Sequence, residues 1–341
     1  MNATPTAPER SVSDEPAVKG SSATRALKTL KGTAPVFVLL IILIALIAQR
    51  TPVFLEPPVF LAFLLQAAPL VLLACGQLFV IVSGEFDLSV GSLMTVTVVA
   101  AARLIDGDPA KTYPVFVLLF GVGLLVGLIN GFVTTRLRVP SFITTLGMLL
   151  ILDGAVNFWT GGAPRGSLPD NFRVFGRAAI EDFPVLGRLP YAVIVLVVLG
   201  AVAIYILHFT DFGRRMMSTG GNPVASELSG VNVARVKTTA FVLSALFAVA
   251  AGILYGGFTN VSARVGEGFE LQAISAVVLG GALLGGGRGS MGGAMAGALS
   301  LVALFRLLNL YGYPQEIRDA IQGLIIIAAV ALAALRSRAA R

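Results

Sequence analysis

His208 to Lys237 reads HFTDFGRRMMSTGGNPVASELSGVNVARVK, a polar stretch between two runs, Tyr191 to Leu207 and Thr238 to Leu254, that are apolar enough to lie in a bilayer. A stretch this polar has to sit outside the membrane, so the chain reads as a bundle of membrane helices with a working segment exposed to water. Within it Gly220 and Gly221 break the chain, Asn222 is a good N-cap, Pro223 fits the first helical position and Gly230 suits a left-handed C-cap. That pattern predicts a short helix from Pro223 to Ser229. Val224, Leu228 and Val231, at i, i+4 and i+7, give it one apolar face, and Ser226, Glu227 and Ser229 are expected to be free for an aqueous partner. A helix resting on the membrane surface and a helix docking on another protein both fit this pattern.

The composition around that segment agrees. Of 341 residues 56% are hydrophobic and 13% charged, with a mean hydropathy of +0.87. A soluble domain carries roughly 25% charged residues, so this is a polytopic, all-α membrane protein. At about 17 to 25 apolar residues per span, about ten spans are expected, near 34–49, 59–82, 88–105, 114–134, 140–160, 190–208, 237–257, 270–284, 291–310 and 317–335. The domain reading is a disordered tail over 1–33, a transmembrane domain over 34–335 and a short tail over 336–341. An even number of spans puts both termini on one side. Of the 25 Lys and Arg, 15 fall on that side, including Arg136, Arg138, Arg214, Arg215, Arg235, Lys237 and Arg288, which favours a cytoplasmic position for the termini and for 208–237. No short apolar core with a small-residue cleavage site precedes the first span, so it reads as an anchor rather than a signal peptide.

Several chemistries are disfavoured. The single cysteine, Cys75, has no partner for a disulfide, and one Cys with one His (His208) is too few for an ordinary zinc site. No cofactor and no metal are expected. The net charge of +7 comes from basic residues flanking apolar runs, which indicates anchoring and not nucleic-acid binding. The glycine cluster GGALLGGGRGSMGG, Gly280 to Gly293, lacks the GxxxxGK[ST] spacing of a phosphate loop and reads as a hairpin between two membrane helices. Gly123, Gly127 and Gly131, like Gly293 and Gly297, repeat every four residues, the spacing that lets membrane helices approach closely.

The stretch SGEFDLSVGS, Ser83 to Ser92, interrupts apolar sequence with Glu85 and Asp87. Ser83-Gly84 ends one helix, and Asp87 is placed to cap the next through the amide of Ser89 or Val90. A discontinuous helix lining a pathway and an acid that binds substrate or an ion are the functional readings of the same residues. Uncharged amides and hydroxyls inside the spans, among them Gln77, Thr144, Thr145 and Gln322, suit a neutral polyhydroxylated solute, although interhelical hydrogen bonds use them equally well. Asp87, Ser89, Asn130, Asn157, Gln272 and Ser275 are the candidates for a translocation path. A faint similarity links Val80–Ser92 with Val277–Ser290, an apolar run followed by glycines and a serine.

Four stretches in order, VIVSGEFDLSVGSLM (80–94), RVPSFITTLGML (138–149), FGRRMMSTGGNPVASELSGVNV (212–233) and FELQAISAVVLGGALLGGGRGSMGG (269–293), resemble the motifs of the ribose-type permeases of bacterial ABC importers for monosaccharides. The resemblance runs from about Pro35 to Leu335. It departs at Gln272, where an acidic residue is common, and at Ala282, where Thr or Ser is. It implies a permease subunit in the bacterial inner membrane that works as a homodimer beside a cytoplasmic ABC ATPase and a periplasmic or lipid-anchored sugar-binding protein, and that performs no chemistry itself. It also implies that Gly221 to Gly230 is a cytoplasmic coupling helix, with Arg214, Gly221, Asn222, Pro223, Ala225, Ser226, Glu227, Ser229 and Gly230 as the residues that meet the ATPase. A permease for a branched-chain amino acid or a nucleoside is the near alternative. An ion-coupled secondary transporter, in which Asp153 would carry the coupling, is a more distant one.

Overall fold

The computed structural model describes residues 22–184, 186–325 and 327. In chain order the elements are α1 (Ser22–Arg50), α2 (Pro57–Val82), α3 (Val90–Ile105), α4 (Thr112–Arg136), α5 (Ser141–Thr160), α6 (Asp170–Arg177), β1 (Ala179–Phe183), β2 (Gly187–Pro190), α7 (Tyr191–Phe209), α8 (Asp211–Gly221), α9 (Pro223–Leu228), α10 (Val233–Phe258), α11 (Phe269–Leu279) and α12 (Met291–Leu310). Residues 315–325 are helical as well. The fold is the expected all-α bundle. Two features of the 161–190 connection, the helix α6 and the antiparallel β1–β2 hairpin, are not apparent in the sequence pattern.

Among the described residues, fewer than ten helices are of full spanning length. Six of those described are long and apolar enough to cross a membrane: α2, α4 with the turn before it, α5, α7, α10 and α12. The other expected spans near 34–49, 88–105 and 270–284 are apolar but shorter, with 16 residues in α3 and 11 in α11. At 1.5 Å per residue α11 covers roughly 16 Å, about half of a ~30 Å hydrocarbon core. Helix α1 begins at Ser22, within the stretch read as a tail. Residues 1–21 of that tail, most of the expected span 317–335 and the tail 336–341 lie outside the described residues.

Helices α2 and α10 are the most enclosed of the long helices and form the axis of the bundle. Small residues set their spacing. A Cβ at Gly76 of α2 would lie 3.0 Å from the Cβ of Phe247 and 3.1 Å from Ser244 Cα on α10. On the opposite side α4 lays its glycines against the same helix: a Cβ at Gly127 would come 2.6 Å from Val242 Cα, and one at Gly131 2.7 Å from Thr238 Cα. The four-residue glycine repeat is therefore a packing seam, as its spacing indicates, and dispersion contacts across it hold helices together where lipid offers no hydrophobic drive. Helix α1 joins α12 in a second apolar cluster around Phe54, Phe63 and Leu307, with the Arg306 guanidinium 5.0 Å from the centre of the Phe54 ring. Val117, Leu150 and Val197, on α4, α5 and α7, point outward, as side chains facing lipid do.

Helices α2 and α11 end in the same way. After α2, Gly84 N donates to Ile81 O at 2.9 Å and Glu85 N to Val80 O at 3.1 Å, with Gly84 at φ 88°. After α11, Gly281 N donates to Val278 O at 2.9 Å and Ala282 N to Val277 O at 3.2 Å, with Gly281 at φ 85°. Both are Schellman terminations, which need a left-handed residue and so favour glycine. The faint similarity between 80–92 and 277–290 thus has a physical counterpart in two helix–bend–helix units, α2–α3 and α11–α12.

Candidate functional site

The 208–237 segment folds as three short helical starts, each with its own cap. Thr210 Oγ1 accepts from Gly213 N at 3.2 Å to open α8, Asn222 Oδ1 from Ala225 N at 3.0 Å to open α9, and Asn232 Oδ1 from Arg235 N at 2.9 Å to open α10. Each cap satisfies an amide that the first helical turn leaves without an internal partner. Helix α9 spans Pro223–Leu228, with Ser229 at its C-cap and Gly230 at φ 83°, close to the expected limits. Helix α8 is an element beyond those the sequence pattern predicts.

The orientation of α9 corrects one expectation. Ser226, read as free for an aqueous partner, is only 6% exposed, whereas Val224 and Leu228 are 67% and 85% exposed. The apolar edge of α9 faces outward. Side-chain pattern alone cannot decide this, because a six-residue helix is oriented by the chain on either side of it, here α8 and α10, with which it is in contact. The other segment residues singled out, Arg214, Gly221, Asn222, Pro223, Ala225, Glu227, Ser229 and Gly230, are exposed, and Arg214 is ion-paired with Asp211 of its own helix.

Directly beside this segment lies the bend between α2 and α3. Asp87, 1% exposed, accepts at Oδ1 from Ser89 N at 3.0 Å and from Ser89 Oγ at 2.6 Å. Ser89 Oγ in turn accepts from Asn130 Nδ2 of α4 at 3.0 Å. The expected hydrogen bond from the Ser89 amide is present; it closes the turn that leads into α3, whose N-cap position is Ser89, and it extends into a buried network. Phe86 N donates to Ser141 Oγ at 3.1 Å, tying the bend to the start of α5. Glu85, next in the bend, is paired with Lys237 of α10: Nζ donates to Oε1 at 2.5 Å, and the two side chains are 14% and 17% exposed. The pair borders a cavity of about 390 Å³ that also takes in Arg138 and Glu227.

Of the six path candidates, the structure brings Asp87, Ser89 and Asn130 together. Asn157 is exposed near the far end of α5 and donates to Asp153 O of its own helix. Ser275 is buried but bonds to Leu271 O within α11, and Gln272 is half-buried on the same helix. Near the axis both side-chain amide atoms of Gln77 are buried and have no hydrogen-bond partner among the described residues. Nothing in the sequence pattern marks the Glu85–Lys237 pair, whose members are 152 positions apart. The available signal was weak: Glu85 is one of two acids in an apolar stretch, and Lys237 is the last base before a long apolar run.

Comparison with known proteins adds to this geometry. The profile of the family described as "Branched-chain amino acid transport system / permease component" matches residues 59–330. The chain is 33% identical over 296 residues to the ribose import permease protein RbsC of Escherichia coli, covering 85% of this chain and 90% of that one. It is 35% identical over 302 residues to the ribose import permease protein RbsC of Bacillus subtilis, covering 87% and 91%. To the galactose/methyl galactoside import permease protein MglC of Escherichia coli it is 31% identical over 318 residues, covering 88% and 94%. No solved structure matches the chain.

Proposed function

Because this chain belongs to the branched-chain amino acid transport system / permease component family, we propose that it is the membrane-spanning permease subunit of an ATP-driven importer for a monosaccharide of the ribose kind. It conducts no chemistry of its own. A second copy of the chain, a cytoplasmic ABC ATPase and a sugar-binding protein on the opposite face complete the machine in the bacterial inner membrane, with the termini and 208–237 in the cytoplasm. The import of ribose and of galactose by its relatives supports the sugar class.

The observation that carries the reading is the outward apolar edge of α9. Val224 and Leu228 stand 67% and 85% exposed on a helix that is capped at Asn222 and closed by Gly230. Solvent-facing leucine on a short, firmly capped helix outside the bundle fits a partner's apolar groove, with Glu227 and Ser229 at its rim. Closure of the ATPase around ATP displaces α9, and the bundle responds by changing which side of the membrane the path opens to. The three side-chain caps each satisfy an end amide, which favours the short helices of 208–237 keeping their form while they move.

Co-purification tests the docking role. With Val224→Asp and Leu228→Asp together, the permease is expected to insert normally but to lose its ATPase partner in mild detergent. Retention of the partner at the unsubstituted level would contradict docking through α9.

A further inference from the structure

The bend 83–89 is held from both flanks of α9. On the N-terminal flank, Gly220 and Gly221, immediately before the Asn222 cap, meet the backbone of two bends at once. A Cβ at Gly287 would sit 2.6 Å from Gly221 Cα, and one at Gly286 would sit 2.8 Å from Gly84 Cα and 2.9 Å from Gly220 O. Gly287 N donates to Val82 O at 2.9 Å across the same contact. Main chain lies against main chain here, so no flexible side chain is available to absorb a displacement. On the C-terminal flank, Lys237, in the first turns of α10, holds Glu85 of the bend through an ion pair largely shielded from water. Beyond Glu85, the bend continues through Phe86 to Ser141 of α5 and through Asp87 and Ser89 to Asn130 of α4.

We infer that the Glu85–Lys237 pair, together with the backbone junction of Gly84, Gly220 and Gly287, is the positioning element that passes displacement of α9 to the bend 83–89 and from there to α3, α4 and α5. This rests on the reading of α9 as the ATPase-facing helix. The pair needs a reason to exist: burying two charges costs desolvation, and an apolar pair of similar volume often holds a fold as well. A directional tie between two elements that move together supplies that reason. Glu227 and Arg138 border the same cavity as the pair, so the contact has room and alternative charges around it rather than close packing.

Charge exchange tests the inference in proteoliposomes that contain the permease, its ATPase and its binding protein, with labelled ribose and galactose as probes. Glu85→Lys and Lys237→Glu alone are expected to lower uptake per ATP hydrolysed by about tenfold or more, and the two combined to return it to within about threefold of the unsubstituted complex. Normal uptake per ATP in the single variants would overturn the proposal. So would a combined variant that assembles and hydrolyses ATP but stays uncoupled. Where a reversal prevents insertion, Lys237→Met keeps the apolar stem and removes the charge. It is expected to retain hydrolysis and lose coupling, and retained coupling would count against the pair. A failure of the functional reading itself would appear differently, as no uptake by the unsubstituted complex.

Discussion

Asp87 performs two tasks with one oxygen: it accepts from Ser89 N in the turn that leads into α3 and orients the Ser89 hydroxyl that receives Asn130. An Asn at 87 retains an acceptor oxygen in the same place, whereas a Leu leaves a buried amide, a hydroxyl and the Asn130 side chain with fewer partners, at about 1–3 kcal/mol for each group left unsatisfied. Asp87→Asn is therefore expected to retain most transport and normal membrane levels, and Asp87→Leu to lose both, measured by uptake and immunoblot in the same cells. Equal damage from the two would mean that the charge itself is used. At Asn222 the expected effect is milder. Asn222→Ala removes one cap, about 1 kcal/mol, and should reduce coupling without abolishing uptake; complete loss would show that Asn222 touches a partner. Both side-chain bonds to backbone amides are legible in the sequence, because each is local chemistry within three residues. The Glu85–Lys237 tie was not, since nothing local relates two residues brought together only by the packing of α2 against α10.

At the scale of elements, glycine positions separate contact from free surface. Gly127 faces Val242 Cα at 2.6 Å for an added Cβ, while Gly154 on α5 has nothing within 4 Å. Gly127→Val is expected to lower the midpoint of thermal unfolding in detergent, overpacking costing about 1–3 kcal/mol. Gly154→Ala should leave it unchanged or raise it, since helical glycine costs about 1 kcal/mol relative to alanine. The reverse order would contradict the α4–α10 seam. The sequence disclosed this seam, because the four-residue spacing is itself the mechanism of close approach. It disclosed the length of α9 as well, but not its facing: Val224, Leu228 and Val231 mark an apolar edge without saying whether membrane, bundle or solvent lies against it. It also left α6, α8 and the β1–β2 hairpin unread, as these depend on contacts with the bundle and have little periodicity of their own.

At the scale of the whole molecule the question is the source of energy. Concentrating a sugar a thousandfold costs about 4 kcal/mol, at about 1.4 kcal/mol per tenfold step. The chain carries no GxxxxGK[ST] loop, and Asp153, the candidate acid for ion coupling, lies half-buried on α5, a helix with much of its surface outward. Everything at the 208–237 end, the three tandem caps, the outward Leu228 and the two grips on the 83–89 bend, suits a chain that receives its work from outside. Reconstitution in liposomes measures this directly, with labelled ribose and galactose on one side and the permease present alone or with its ATPase, binding protein and ATP. Accumulation against a gradient is expected only with all three additions, and with a proton or sodium gradient alone there should be none. Accumulation by the isolated chain, driven by either ion, would contradict the coupling role proposed for α9.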